Sequence, residues 1–456
     1  MFAFSLYVRI KSKKRSLFLI LFFLFVPGLT TGQHLTAAYY KRDLDTLRKA
    51  FEATYPSLYR FNTKASIDKV FDSCSNAINN GTTDYDFYRT VKLILSAVRD
   101  GHLGCSPSDT FKKKIEDSDK YFPFSLIFLD NKAFVDCGNK NALPTGTEIL
   151  SINNENINDI RKHIFNYIVS DGIIETKKYW ILSHSFWFYY NLVYGQQTVY
   201  QVKYRSDNGQ IATIIVDSEL RKDTKCQSII PEWEQAQSLT YPLSNTALLY
   251  IPNFTDDGFA GFLDSSFRDI KQKPVLNLII DLRGNGGGRD VYGSLLYSYL
   301  TDKAFKYYAS LEKPTVFLTA ADHPNLAVQQ PNADNFNGNV YILIDGLSFS
   351  VTTEFCAIAK DNNRAIFIGE ETGGTYCGNT SGGTKEVLLP YSGITLFIPT
   401  TKYTMAVTDA KNKDRGIIPD YHVLPTIKDL IQKNDAALNF ALRLVKEPWQ
   451  QKKARP

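Results

Sequence analysis

The sequence predicts an α/β protein, and three observations predict it. After Leu239, strand-length apolar runs alternate with helix-length amphipathic stretches, at 247–251, 259–271, 275–282, 340–344, 350–360 and 365–368. Residues 35–118 instead carry apolar side chains at helical spacing, and from Tyr121 the pattern changes to short alternating runs. With 44% apolar and 13% aromatic residues the chain has ample material for packed cores, and its 456 residues correspond to two or three domains of about 150 residues each once a leader is set aside.

The leader is residues 1–32. Arg9, Lys11, Lys13, Lys14 and Arg15 precede the apolar run Leu17–Val26, and the small residues Thr30, Thr31 and Gly32 follow, the order of a secretory signal cleaved near Gly32. The run is short for a membrane span of about 20 apolar residues, so no span is expected after cleavage, and no cysteine stands there to take a lipid. Export to the periplasm or the medium is the expectation. The leader holds five basic and no acidic residues, so the formal charge of +5 falls to zero without it. That balance speaks against nucleic acid as a partner. Cys74, Cys105, Cys137, Cys226, Cys356 and Cys377 show neither CxxC nor Cys/His spacing, so no metal is expected. Export permits disulfides, but their pairing is not readable.

Residues 33–118 read as a helical cap. Tyr39–Tyr55 carries Leu44, Leu47 and Phe51, a second pattern runs from Ile67 to Ile78, and Tyr85–Val98 carries Phe87, Val91, Leu93, Leu95 and Val98 at helical spacing. Residues 119–237 read as β-rich: Phe122–Leu129, Lys132–Val135, a hairpin within Leu143–Ile157, a helix at Ile160–Val169, and strands Thr198–Tyr204 and Gln210–Val216. The hairpin resembles that of a PDZ domain at Gly146, Ile149, Ile152 and Asn153, whereas the insertion Tyr179–Tyr194, rich in Trp and Tyr, is foreign to such a domain. Residues 238–445 form the α/β region, which returns to strands at Glu386–Leu389 and Thr395–Ile398, and 446–456 are a basic tail.

Two segments of the α/β region bear chemistry. The apolar strand 277–282 runs into Arg283-Gly-Asn-Gly-Gly-Gly288, where glycines accept positive φ and turn backbone N–H groups outward. No Gly-Lys-Ser/Thr follows, and the spacing is not GxGxxG, which leaves an oxyanion site or a tight turn. The strand 341–345 leads through Gly346-Leu-Ser-Phe-Ser350 into a helix. A serine there is either an N-cap, the commoner role, or a nucleophile at the helix's positive end.

The order of these motifs resembles the tail-specific (C-terminal processing) serine proteases: "DLRGNGGG" at Asp281–Gly288, "SxSA…E" at Ser348–Glu354, "RA…GE…GG" at Arg364-Ala365, Gly369-Glu370 and Gly373-Gly374, and "GxxPD" at Gly416–Asp420. The resemblance implies a crotonase/ClpP-like peptidase core under the helical cap and the PDZ-like domain. It makes Ser350 the nucleophile, with Ser348 the lesser candidate, and the N–H groups of Gly287 or Gly288 and of Val351 the oxyanion hole. The lysine base of the best-known branch is missing, since Thr375 stands in its place and Lys385 is the nearest substitute. Val98-Arg-Asp-Gly-His102-Leu-Gly104 instead resembles the "DGH" of the tricorn-like branch, which makes His102 the general base. Asp414 is the carboxylate assigned to orient it, with Glu371 and Asp100 as the other choices. A serine precedes the histidine in that branch, where this chain has Gly101. The implied activity is hydrolysis of peptides or unfolded proteins near their C-termini, with no cofactor; a family member reduced to peptide or apolar-ligand binding, and an esterase on the same serine chemistry, are the competing readings.

Overall fold

The computed structural model describes residues 35–138, 142–223, 227–231, 236–408 and 413–447. The expected leader and nearly all of the basic tail lie outside the described residues.

Helices α1 (Ala37–Thr54), α2 (Lys64–Ala77) and α3 (Asp84–Val98) occupy the three helical patterns of the expected cap. Thr83 and Asp86 form a reciprocal capping box that starts α3, and the left-handed Arg99 (φ 65°) stops it. The short helix α4 (Asp109–Asp117) follows. The next region is an antiparallel sheet in the order Ser125–Leu129, Lys132–Cys137, Glu148–Ile152, Val199–Arg205, Ile211–Asp217. Helix α5 (Ile157–Phe165) packs on it.

The aromatic insertion is also helical: α6 (Thr176–Tyr194), broken at Ser185 (φ −138°, ψ 25°). Its buried Leu182, Phe186, Tyr189, Tyr190 and Leu192 and its half-buried aromatics lie all round the helix. An apolar periphery of that kind has no amphipathic period, so pattern reading passes over it. Side chains of α1, α2, α3, the antiparallel sheet and α6 pack into one continuous cluster, which Leu389, Ile394, Leu396 and Ile398 join from the far end of the chain.

The C-terminal half is built on a sheet in the order Ser238–Leu243, Thr246–Tyr250, Asn277–Asp281, Asn339–Ile344, Ile366–Gly369, Tyr421–His422. The first pair is antiparallel and the rest are parallel. Asn277–Asp281 is buried at every position, as a strand covered on both faces must be. Helices α7 (Phe259–Lys271), α8 (Asp290–Ser298) and α9 (Val351–Asp361) pack on one face. Beyond α10 (Ile427–Ile431), α11 (Ala436–Leu444) covers the other through Ala441 and Leu444.

A third sheet ties the halves together. The long strand Thr395–Met405 pairs with Thr380–Leu388, with Tyr308–Lys313 and with the short strand Gly104–Ser106 that follows α3. Gly104 lies opposite Phe397, which fixes the turn just before it against the α/β half.

Candidate active site

The parallel strands deliver their following loops to one edge of the sheet, the place where open α/β sheets put their ligands. Asp281 lies opposite Leu343, and Ile344 opposite Gly369. The glycine loop, the Asp345–Ser350 loop and the 370–375 loop therefore converge.

The Asp345 carboxylate is the hub of the second loop. Burial pushes it up from its ordinary value, and the amides of Gly284, Leu347 and Ser348 together with the Arg283 charge oppose that. Ser348 is fully buried, and its hydroxyl donates to Leu282 O at 2.9 Å. It is a structural tie, not a reachable nucleophile. Asn285 completes the frame, taking hydrogen bonds from the Gly287 amide at 2.9 Å and from Thr352 Oγ1 at 2.7 Å on the same oxygen.

Ser350 sits at the N-terminus of α9 with φ 57° and ψ −126°, and its side chain makes no capping hydrogen bond. The cap reading therefore fails. A non-glycine residue in this left-handed region is under strain, and such strain gathers at functional sites. Gly287, at φ 101°, faces it: a Cβ there would stand 2.7 Å from Ser350 Cβ and 3.0 Å from the Val351 nitrogen. Of the three amides assigned to the oxyanion hole, that of Gly287 is engaged by Asn285. Among the described residues no acceptor takes up those of Gly288 and Val351.

His102 comes from the turn after α3. Its amide donates to Asp100 Oδ1 at 2.8 Å, and its ring lies over that of Phe349, centroids 4.3 Å apart, one residue from Ser350. Both ring nitrogens are buried and without a hydrogen-bond partner. The carboxylates beside the imidazole are Asp100, whose Oδ1 is 3.7 Å from Nδ1, and Asp171, which pattern reading missed. Burial pushes the Asp171 carboxyl up, and the charge of Asp100 adds to the effect. Burial works the same way on Asp100, but the interactions with His102 and the hydrogen bond from the Tyr55 hydroxyl outweigh it and hold the carboxyl below its usual value.

Asp414, the carboxylate assigned to orient His102, meets this region through its main chain: its carbonyl accepts the Ile173 amide at 3.0 Å. Among the described residues no hydrogen bond or ion pair joins its carboxylate to His102. Glu371 is held by Arg415 through two hydrogen bonds of 2.7 Å. Thr375 is buried, and Lys385 lies on an exposed stretch of strand.

Ligand atoms of Asp100, His102 and Asp171 lie within 4.8 Å of one another, close enough to hold a cation. The Lys177 ammonium, on which the charges of Asp171 and Asp100 act, already supplies a positive charge there. Among the described residues no helix is long and apolar enough to cross a membrane.

Residues 245–423 match the family model described as Peptidase family S41. No curated protein matches the chain. Among solved structures, mature CPAF complexed with lactacystin is 13% identical, with 90% of this chain and 97% of that chain covered at a TM-score of 0.63. The photosystem II D1 C-terminal processing protease is 14% identical (87% and 97% covered, TM-score 0.43), and the tricorn protease 15% identical (89% and 36% covered, TM-score 0.41). The first likeness bears on the fold; the other two are too loose to bear on anything further. The family match falls on the segment that carries the glycine loop and Ser350. The chain is a serine-type peptidase, a hydrolase, and its substrate is a peptide or protein.

Proposed function

We propose that the chain is an exported endopeptidase of the C-terminal processing kind in which Ser350 is the nucleophile and His102 the general base. The observation that carries this is the conformation of Ser350, strained and uncapped at a helix N-terminus, one residue from Phe349, whose ring packs against that of His102. His102 accepts the hydroxyl proton as Ser350 Oγ attacks the peptide carbonyl. The free amides of Gly288 and Val351 receive the tetrahedral oxyanion, and water releases the acyl group after His102 has returned its proton to the leaving amine. The antiparallel sheet with α5 and the Glu148–Ile152 hairpin supports a PDZ-like domain that holds an extended peptide by strand addition. A disulfide at Cys137 supports an oxidising compartment, and so export.

One observation favours the competing reading of a ligand-binding protein with little turnover: among the described residues neither His102 nitrogen has a hydrogen-bond partner, and the imidazole rests on Phe349. Labelling with a fluorophosphonate decides between them. Labelling of the wild type that is lost in both Ser350→Ala and His102→Ala is the expected result; a folded wild type that does not label overturns the peptidase mechanism in favour of binding.

A further inference from the structure

The residue before the general base is held from an unexpected quarter. The Gly101 N–H donates to Asp171 Oδ1 at 2.6 Å, and the Gly101 carbonyl accepts from Lys177 Nζ at 3.0 Å. Both side chains flank the start of α6, the aromatic insertion, and both residues are buried, at 2% and 7% exposure. The same two groups reach the catalytic half. Asp171 Oδ2 takes the Thr375 amide at 3.3 Å, and the Lys177 ammonium lies 3.2 Å from the centroid of the Phe349 ring, whose neighbour in the chain is Ser350.

We propose that Asp171 and Lys177 are positioning residues for His102: they grip the Gly101 peptide groups from both sides and so set where the imidazole stands relative to Ser350. This rests on the assignment of Ser350 and His102 made above. The clamp also accounts for the glycine before the histidine. A Cβ at position 101 would stand 2.7 Å from Lys177 Nζ and 3.1 Å from both Asp171 Oδ1 and Phe349 Cε2, so a larger residue there displaces the lysine.

The charges close on themselves. Two buried carboxylates, Asp100 and Asp171, face the His102 imidazole and the Lys177 ammonium, and the Tyr55 hydroxyl donates to Asp100 from the cap. Removing one partner of such a buried set leaves the other charged and unpaired. Burial pushes the Lys177 ammonium down to about 8, against the pull of Asp171 and Asp100. Above that pH the lysine is neutral, Asp171 is unbalanced, and the grip on the Gly101 carbonyl weakens.

The test is the rate of fluorophosphonate labelling of the full mature chain, resolved into kinact and KI from about pH 6 to 10, for wild type, Lys177→Met, Lys177→Arg, Asp171→Asn and His102→Ala. A displacement of about 1 Å at a reacting group costs about 100-fold, so Lys177→Met and Asp171→Asn lower kinact by about that factor while KI stays within about two-fold. Wild-type kinact falls above pH 8; Lys177→Arg, which stays charged, carries its activity to higher pH, and Lys177→Met shows no further fall there. If Lys177→Met does not fold, the nearly isosteric Asp171→Asn decides. Wild-type kinact in folded Asp171→Asn or Lys177→Met, or an unchanged alkaline fall in Lys177→Met, overturns the clamp and leaves the nucleophile and base standing. A wild type that does not label overturns the nucleophile assignment, and the clamp with it.

Discussion

Glu354, in the first turn of α9, makes the stability of this fold depend on pH in a calculable way. Its carboxyl is fully enclosed, and burial followed by the charge of Asp290 pushes it up from 4.5 to about 7, although Tyr308 OH at 2.6 Å and Asn379 Nδ2 at 2.6 Å donate to it. At about 1.4 kcal/mol for each tenfold change in an equilibrium constant, ionising it costs the folded state about 3 kcal/mol more than the unfolded chain. The sign follows from proton counting. Below pH 4.5 both states hold the proton, and the stabilisation is fully present. Between 4.5 and about 7 only the folded state holds it, so stability falls as pH rises, and above about 7 the full amount is lost.

Glu354→Gln is neutral at every pH and escapes this loss. Glu370, also pushed up to about 7, by burial and by Asp345, slopes the wild type and the variant alike and cancels in their difference. Urea unfolding at four pH values from about 4.5 to about 8 measures that difference, which moves by about 3 kcal/mol in favour of the glutamine variant across the range. Parallel curves for the two proteins refute the argument.

Gly287→Ala combines a positive φ with a Cβ 2.7 Å from that of Ser350; it costs about 2–4 kcal/mol in stability and about 100-fold in fluorophosphonate labelling, as unfolding curves and labelling rates will show. Ser348→Ala and Ser350→Ala separate the two serines. The first loses a buried hydroxyl worth about 1–3 kcal/mol but still labels, and the second keeps its melting temperature and does not. Arg415→Met strips the charged partner from the mostly buried Glu371 carboxylate, leaving it the Gly416 amide, and lowers stability by about 1–3 kcal/mol in the same unfolding assay.

The α/β half was legible because its signals are local. A buried parallel strand is a run of apolar residues, and the loop after it declares itself by glycines, so Asp281–Gly288 and Ser348–Glu354 read directly into the strand, loop and helix observed. Helices α1, α2 and α3 read equally well from their apolar spacing. Helix α6 did not, because aromatic residues all round it leave no period, and α8 escaped because Gly293 and Ser294 interrupt its short run. The surroundings of His102 were hidden for a different reason. Asp171 and Lys177 meet Gly101 across about 70 residues of chain, and nothing near either one in the sequence marks the contact. Asp414 is picked out in the sequence by its place shortly before Gly416; the fold brings its carbonyl, not its carboxylate, to the Asp171 loop.

The strain at Ser350 explains why so many buried polar groups surround it. Holding a serine at φ 57° and ψ −126° costs about 1–3 kcal/mol, and a loop free to relax would adopt an ordinary helix start, with the hydroxyl turned back as a cap. Every neighbouring bond blocks that relaxation. Asp345 fixes the amides at 347 and 348, Ser348 is pinned to Leu282 O, and its own carbonyl accepts Thr353 Oγ1 at 2.8 Å and the Gly373 amide at 3.1 Å. Asn285 receives Thr352 Oγ1 and offers its carbonyl to the Phe349 amide at 3.1 Å. Phe349 is thus fixed by its main chain to the glycine loop while its ring is held by Lys177 and His102. The proposed nucleophile, oxyanion loop and base therefore share one frame, so a change in the hold on His102 is transmitted to the residue beside Ser350. Because α6 supplies Lys177 to that frame, the aromatic insertion is tied to the proposed active site as well as to the sheet on which it packs.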